Sequence, residues 1–193
     1  MNLSKLKKNH TIKLPNHIIT LYCDKKKLLT FIGPFQKKSI KVQVQVFFLP
    51  STNSLVITDS PIYKVSNMEL KNSKAIQGTT LAKIKQILIE INYTLYYKLE
   101  FVGVGYRAFS VDNLENQLYF KLGYSHLIYF KIDEPLRTIC SKNTKLFIFG
   151  NCSYEALTQT GALIQDCKRP EPYKGKGILK YGQHITLKKG KKI

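Results

Sequence analysis

The chain has 193 residues, 44% of them hydrophobic, and a formal net charge of +19. That hydrophobic content excludes a wholly disordered chain, and the length allows one large domain or two small ones. Positions 1–92 hold 15 basic and 4 acidic residues, positions 93–167 hold 7 of each, and positions 168–193 hold 9 basic residues and 1 acidic residue. Two cationic flanks therefore surround a neutral middle, and this distribution of charge favours a polyanionic partner.

Alternating hydrophobicity predicts strands with one buried face over positions 17 to 58 or so. The clearest alternation lies between Ile40 and Val46, where every second residue is aliphatic. A helix is predicted at about 78–91, because aliphatic residues recur there every three or four positions. The members of that stripe are Leu81, Ile84, Leu88 and Ile91.

The second half of the chain repeats this order. Strands are predicted from about 95 to 149, with Leu95, Tyr97, Leu99 and Phe101 on one face, and a helix at about 154–168. Strands followed by a helix indicate an α+β fold, here two tandem duplicated domains, each a mostly antiparallel sheet packed against one helix. The predicted divisions are an N-terminal repeat with a basic arm at 1–92, a C-terminal repeat at 93–168 and a basic RNA-binding tail at 169–193.

Two short matches support the duplication. Leu28–Gly33 lines up with Leu118–Gly123, and Leu55–Ile57 lines up with Leu146–Ile148. The alternative is a coincidence between short apolar strings.

The C-terminal segment is basic and punctuated by proline and glycine. It contains Arg169-Pro170-Glu171-Pro172-Tyr173-Lys174-Gly175-Lys176-Gly177-Ile178. The prolines end the preceding helix, the glycines let the backbone lie close to a partner, and the lysines suit phosphate. We therefore expect a flexible tail that orders against RNA or DNA. A solvated tail that only improves solubility is the alternative, and the Pro-Glu-Pro-Tyr start disfavours it.

The motifs that suggest catalysis fail on their context. Gly103-Val104-Gly105-Tyr106-Arg107-Ala108 matches the dinucleotide-binding pattern, but an extended segment follows it and no carboxylate lies between Gln117 and Lys131. These glycines are better explained by a tight connection or bulge between two strands. The histidines and cysteines lack catalytic or metal-ligand spacing, so we predict no enzymatic activity, cofactor or metal. No apolar run approaches the ~18 residues of a membrane span, and no membrane partner is expected.

Three stretches resemble the bacterial-type large-subunit ribosomal protein six family: Gly78–Ala108, Leu122–His126, and Arg169–Ile178 followed closely by Tyr181. The resemblance covers roughly residues 12–190. It implies two duplicated α+β domains that bind large-subunit rRNA near the sarcin–ricin loop, at the base of the region where translation GTPases dock. It further implies neighbouring large-subunit proteins and transient contact with those GTPases as partners. On this basis the residues expected to bind rRNA are Lys168, Arg169, Tyr173, Lys174, Gly175, Lys176, Gly177, Lys180, Tyr181 and Arg107.

Two segments depart from the family pattern. Pro61–Ile76 is longer and richer in lysine than expected, and Ile178-Leu179-Lys180 replaces a shorter link that would contain arginine. The alternative function is a non-ribosomal basic protein that binds or processes RNA. An RNA-processing enzyme would need clustered carboxylates or a nucleophile with its base, which the sequence does not display.

Lysine outnumbers arginine 28 to 3, which is typical of AT-rich coding. Met1–Pro15 is basic but does not resemble an import leader. Encoding in an organelle would explain both observations, and we predict a mitochondrial ribosome. A plastid-type or an AT-rich bacterial ribosome is the alternative.

Overall fold

The computed structural model describes residues 10–61, 67–111 and 116–190, without the side chains of 59–61 and 67–71. The chain divides into two compact units, 1–93 and 94–193. The elements of the described ranges are β1 Thr11–Lys13, β2 Ile19–Cys23, β3 Leu28–Ile32, β4 Lys37–Lys41, β5 Val44–Leu49, β6 Ser54–Pro61, α1 Asn67–Asn92, β7 Leu95–Val102, β8 Arg107–Ser110, β9 Gln117–Lys121, β10 Ile128–Lys131, β11 Arg137–Ser141, β12 Lys145–Gly150, α2 Tyr154–Asp166 and β13 Gly177–Lys180.

The first unit contains two three-stranded antiparallel sheets. One has the order β1-β6-β5 and the other the order β2-β3-β4. Helix α1 covers the core with Ile84, Leu88 and Ile91, as the helical stripe predicts. Glu90 is also buried, and it accepts hydrogen bonds from Lys38 on β4 and from Gln86 on the helix. Its negative charge is therefore paired, which buried carboxylates require.

The second unit repeats this topology and adds one strand. Its sheet β10-β9-β8 corresponds to β4-β3-β2, and its sheet β11-β12-β7-β13 corresponds to β5-β6-β1 with β13 paired outside β7. Helix α2 buries Leu157, Gly161 and Ile164 against the sheet. The alternation predicted for β7 is also confirmed, because Leu99 and Phe101 are buried while Tyr96 is exposed.

The internal matches in the sequence correspond to equivalent strands. β3 and β9 are each the middle strand of a three-stranded sheet, and β6 and β12 each lie inside a sheet and lead to a helix. The α+β class with antiparallel sheets is therefore confirmed. The domain limits derived from the sequence stay a prediction.

Two elements differ from their prediction. The alternating run from Ile40 to Val46 is divided between β4 and β5, which belong to different sheets, and the N–H of Val42 donates to the carbonyl of Lys27 at the break. Helix α1 starts at Asn67, well before position 78. The turns before position 78 bury polar side chains such as Gln77, whose Nε2 donates to the Ile57 carbonyl at 2.7 Å. Hydrophobic periodicity does not detect turns of this kind, because their buried residues are polar. Part of the Pro61–Ile76 departure, 62–66, lies outside the described residues.

The dinucleotide-like motif forms the turn between β7 and β8, as expected from its context. Gly103 has φ +147° and Gly105 has φ +75°, in the region that favours glycine. A Cβ on Gly103 would lie 2.9 Å from the ring of Tyr106, and one on Gly123 would lie 3.0 Å from the same ring, whereas Gly105 faces open space. The glycines on either side therefore make room for the Tyr106 side chain.

We expect Gly103→Ala to lower the free energy of unfolding of the second unit by more than the ~1 kcal/mol due to backbone flexibility alone, because the new methyl group meets the Tyr106 ring. Gly105→Ala should cost less, about 1–2 kcal/mol, from its positive φ without a clash. Gly190→Ala, which meets nothing within 4 Å, is the control and should stay within about 0.5 kcal/mol of the parent. Urea unfolding followed by tyrosine fluorescence measures all three, and equal stability of the parent and Gly103→Ala would contradict the account.

Candidate nucleic-acid interface

The candidate interface begins where helix α2 ends. The Ser153 hydroxyl accepts a hydrogen bond from the Ala156 N–H and caps the N-terminus of the helix. After Asp166 the helix gives way to Cys167, and the two basic residues Lys168 and Arg169 follow. Cations at this end are favoured by the partial negative charge of the helix C-terminus. The first basic residues of the C-terminal segment therefore have a defined position.

Residues 169–177 form a closed loop, which we name the proline loop. The N–H of Glu171 donates to the carbonyl of Lys176 at 2.9 Å, and the N–H of Gly175 donates to the carbonyl of Glu171 at 2.8 Å. Gly175 has φ +70°, which allows the chain to reverse. The tip of the loop exposes Tyr173 and Lys174. The loop is therefore ordered by its own backbone and projects an aromatic ring and a cation.

Strand β13 anchors the far end of the proline loop. It pairs with β7 from Gly177↔Val102 to Lys180↔Leu99, and Ile178 is completely buried. Gly177 has φ +156°, and a Cβ there would lie 2.5 Å from the Cα of Pro170. The structure thus differs from the expectation of a flexible tail over residues 177–180. Periodicity does not reveal this strand, because it is only four residues long and follows a proline- and glycine-rich stretch.

A cleft of about 500 Å³ opens between the proline loop and the loop after β9. The hydroxyl of Tyr124 donates to the carbonyl of Cys167 at 3.2 Å, and the Lys168 ammonium lies 4.0 Å from the centre of the Tyr124 ring. Such contacts hold a cation without neutralising it. The cleft is lined by Tyr106, Tyr124, Asp166, Cys167, Lys168, Arg169, Glu171 and Lys176.

An ion pair at the rim of the cleft orients Arg169. Its Nε donates to the Asp166 carboxylate at 2.7 Å, and both side chains are largely exposed. This hydrogen bond is the main reason that the pKa of Asp166 lies below its usual value, with charge attraction by Arg169 as a lesser cause. Asp166 therefore remains ionised at neutral pH. Because a guanidinium carries five N–H donors, one bond to Asp166 leaves the others for an anion such as phosphate.

Beyond β13 the chain is held against the same unit. The Lys98 ammonium lies 3.4 Å from the centre of the Tyr181 ring, and the Tyr181 N–H donates to the Lys98 carbonyl. The Gln183 side chain accepts from Gln165 at 2.8 Å, and the Lys188 N–H donates to the Pro172 carbonyl at 2.9 Å. The segment after β13 therefore returns to the proline loop.

The structure places the predicted site residues in three groups. Lys168, Arg169 and Lys176 line the cleft, while Tyr173, Lys174 and Gly175 belong to the proline loop. Lys180 and Tyr181 lie at the end of β13, where the Lys180 ammonium is 5.1 Å from the centre of the Tyr97 ring. Two members stand apart: Gly177 is buried and shapes the backbone, and Arg107 lies on β8, outside the cleft lining.

Sequence reasoning missed several residues of the interface. Tyr106 and Tyr124 line the cleft, and Lys98 and Gln183 hold the segment after β13. The available signal was the position of both tyrosines inside stretches that had already been singled out, beside Gly105 and Gly123. Lys98 also lies inside one of those stretches, Gly78–Ala108, but nothing in the sequence links it to its partner Tyr181, which is distant in the chain.

No protein-family model matches the chain. It is 37% identical to the "Large ribosomal subunit protein uL6" of Mycoplasma pneumoniae, over 93% of this chain and 96% of that protein. It is also 37% identical to the protein of the same name from Mycoplasma genitalium, over 85% and 84%, and 30% identical to that of Phocaeicola vulgatus, over 94% and 89%. Among the described helices, none is long and apolar enough to cross a membrane.

Gly177→Ala should displace the Pro170 backbone and loosen the proline loop, at a cost of about 2 kcal/mol or more in the free energy of unfolding. Trypsin should then cleave after Lys174 and Lys176 faster than in the parent, because the closed loop resists the extended conformation that proteases need. Gly182→Ala is the matched control, since Gly182 also has positive φ but a Cβ there meets nothing within 4 Å. Equal cleavage rates in the two variants would show that the Gly177–Pro170 contact does not hold the loop.

Proposed function

Since this chain belongs to the uL6 family of large ribosomal subunit proteins, we propose that it binds large-subunit rRNA through the proline loop and the segment that follows it. As a family member it is a structural component of a bacterial-type large ribosomal subunit and not an enzyme. This replaces the alternative of a non-ribosomal RNA-processing protein.

The observation that carries the proposal is the ordered display of cations by the C-terminal segment. Positions 168–193 hold nine basic residues and one acid, and the proline loop fixes the positions of Arg169, Lys174 and Lys176. Because folded RNA hides its base edges in a deep, narrow groove, proteins contact it mainly through phosphates and shape. A rigid loop with lysines at its tip and in the adjacent cleft fits that mode of binding.

Each predicted site residue then has a distinct role. Lys168, Arg169 and Lys176 bind phosphates at the cleft, and Lys174 does so at the loop tip. Tyr173, which is half exposed, offers a ring for a sugar or base. Gly175 and Gly177 set the backbone shape, Lys180 and Tyr181 bind at the end of β13, and Arg107 contributes from β8.

The rRNA element that we propose is the region near the sarcin–ricin loop, beside the site of translation GTPases. The support is the resemblance of Arg169–Ile178 to the signature stretch of the family. On this proposal, neighbouring large-subunit proteins are permanent partners and the GTPases are transient ones.

The ribosome that contains this protein is either bacterial or organellar. The relatives named above are bacterial, which supports the alternative of an AT-rich bacterium. The mitochondrial location stays a prediction that rests on the lysine bias of the sequence. Mapping the gene to a bacterial chromosome would end it and leave the family assignment intact.

Replacing Lys174, Lys176 and Lys180 together by Gln should weaken binding to an rRNA fragment that contains the sarcin–ricin loop. Each lost phosphate contact lowers the slope of log affinity against log salt by roughly 0.7–0.9, so we expect a total decrease of about 2. Titrations of the fragment at several salt concentrations measure the slope.

The matched control replaces Lys74, Lys83 and Lys85, three exposed lysines of α1, and so removes the same charge. Its salt slope should stay close to that of the parent. If both triple variants lower the slope equally, the proline loop has no special part in binding. Loss of co-sedimentation with large subunits by the first variant alone would further support the proposal.

A further inference from the structure

Three aromatic side chains form a row across the outer face of the sheet β10-β9-β8. The rings of Phe109 and Tyr119 are stacked, with centroids 4.8 Å apart and an interplanar angle of 13°. Tyr129 continues the row, with its ring centroid 6.4 Å from that of Tyr119. The three residues are cross-strand partners, since Phe109 pairs with Tyr119 and Tyr119 with Tyr129. We name this row the aromatic platform.

The platform does not serve the core of the second unit. The alternate residues of the same strands, such as Ala108, Leu118 and Phe120, point inward and are buried. Tyr129 in contrast is 70% exposed. A ring stabilises the fold by leaving water, and the exposed Tyr129 ring does not leave it. A row of rings with an exposed last member is therefore better explained by binding of a ligand than by packing of the core.

Basic residues flank the platform on both sides. Arg107 and Lys121 are cross-strand partners next to the Phe109–Tyr119 pair, and Lys131 follows Tyr129 by two positions on the same strand. Like charges placed opposite each other destabilise a sheet. None of the outward residues of these strands is acidic; they are Arg107, Phe109, Gln117, Tyr119, Lys121, Tyr129 and Lys131. An anion between Arg107 and Lys121 would relieve their repulsion.

We propose that this sheet face is a second nucleic-acid site, which binds an unpaired RNA strand by stacking bases on the aromatic platform. Residues two apart on a strand lie ~6.6 Å apart, so the cations lie one row to either side of the rings. Bases stack on aromatic rings while basic side chains follow the phosphates, which is the usual mode of single-strand recognition. The site contains no residue of the proline loop, shares only Arg107 with the residues proposed above to bind rRNA, and rests on the proposed function only for the presence of RNA.

An RNA strand fits this face better than a protein does. A protein partner would have to supply both apolar contacts for the rings and carboxylates for the cations within one row of each other. An unpaired strand supplies a π-face and a phosphate with every nucleotide. The most exposed ring is that of Tyr129, which is tilted by 42° from the Tyr119 ring, and it is the position at which a base can stack.

The absence of tryptophan from the sequence allows a direct test. Tyr129→Trp should preserve stacking and place the sole indole of the protein on the platform. Its fluorescence should be quenched by an oligouridine of about ten nucleotides and much less by a duplex RNA of the same length. Tyr93→Trp is the matched control, with 65% exposure in the first unit, and its fluorescence should not respond to the single strand.

Binding measurements separate this site from the proline loop. In the chain with Lys174, Lys176 and Lys180 replaced by Gln, Tyr129→Ala should weaken oligouridine binding by about tenfold or more, and Tyr129→Phe should not. Phe109→Ala should have a similar effect with an unchanged salt slope, whereas Lys121→Gln should lower the slope by roughly 0.7. Unchanged circular dichroism establishes that each variant folds.

Two results would overturn the proposal. One is equal quenching of the Tyr129→Trp and Tyr93→Trp variants. The other is equal oligouridine affinity of the Tyr129→Ala and Tyr129→Phe variants. If the Tyr129→Ala variant then also fails to co-sediment with large subunits, the sheet face contacts a neighbouring protein instead of RNA. If replacing Lys174, Lys176 and Lys180 by Gln leaves the salt slope unchanged, the proposed function is wrong, but the quenching test of the aromatic platform still stands.

Discussion

Gly177 and Pro170 approach each other so closely that no side chain fits between them, and this contact joins the two ends of the proline loop. On one side the loop continues from helix α2, and on the other it enters β13, which pairs with β7. Both ends are thus fixed to elements with their own place in the core. Without this closure, the cations of the C-terminal segment would move independently, and each would lose more conformational entropy on binding an anion.

Positions 93–167, which carry no net charge, form most of the unit to which the basic C-terminal segment is attached. These residues build most of the second unit, and with equal numbers of basic and acidic side chains they form a scaffold without strong self-repulsion. The C-terminal segment then adds its cations to the surface of that scaffold. Within the neutral stretch, Arg107, Lys121 and Lys131 share the outward face of β8, β9 and β10, and none of the outward residues of those three strands is acidic.

Much of the fold could be predicted from the sequence, because its signals are periodic and local. The α+β class, the alternation in Leu95–Val102 and the second helix follow from hydrophobic spacing alone. The duplicated order follows from two short matches, which correspond to equivalent strands. The turns of α1 before position 78 were missed because they bury polar side chains. Gln77, for example, is buried with a hydrogen bond to the Ile57 carbonyl, and hydrophobic spacing does not reveal such a residue.

Some residues of the candidate interface could be predicted from the sequence, but its shape could not. Its lysines and glycines stand close together in sequence, whereas the contacts that order them join distant positions. Tyr181 meets Lys98, and Cys167 accepts a hydrogen bond from Tyr124. A single sequence carries no record of such pairs. The aromatic platform was missed for the same reason, because its three rings lie on three different strands and only the sheet register brings them together.

The pairing of β13 with β7 also has a consequence for the order of synthesis. Strand β7 is synthesised well before β13, and the edge that pairs with β13 stays unpaired until Gly177–Lys180 emerges from the translating ribosome. Exposed strand edges are templates for aggregation, so the nascent second unit carries an open edge for most of its synthesis. The same late strand completes the proline loop. A chain whose translation stops before Gly177 therefore neither completes this sheet nor closes the proline loop.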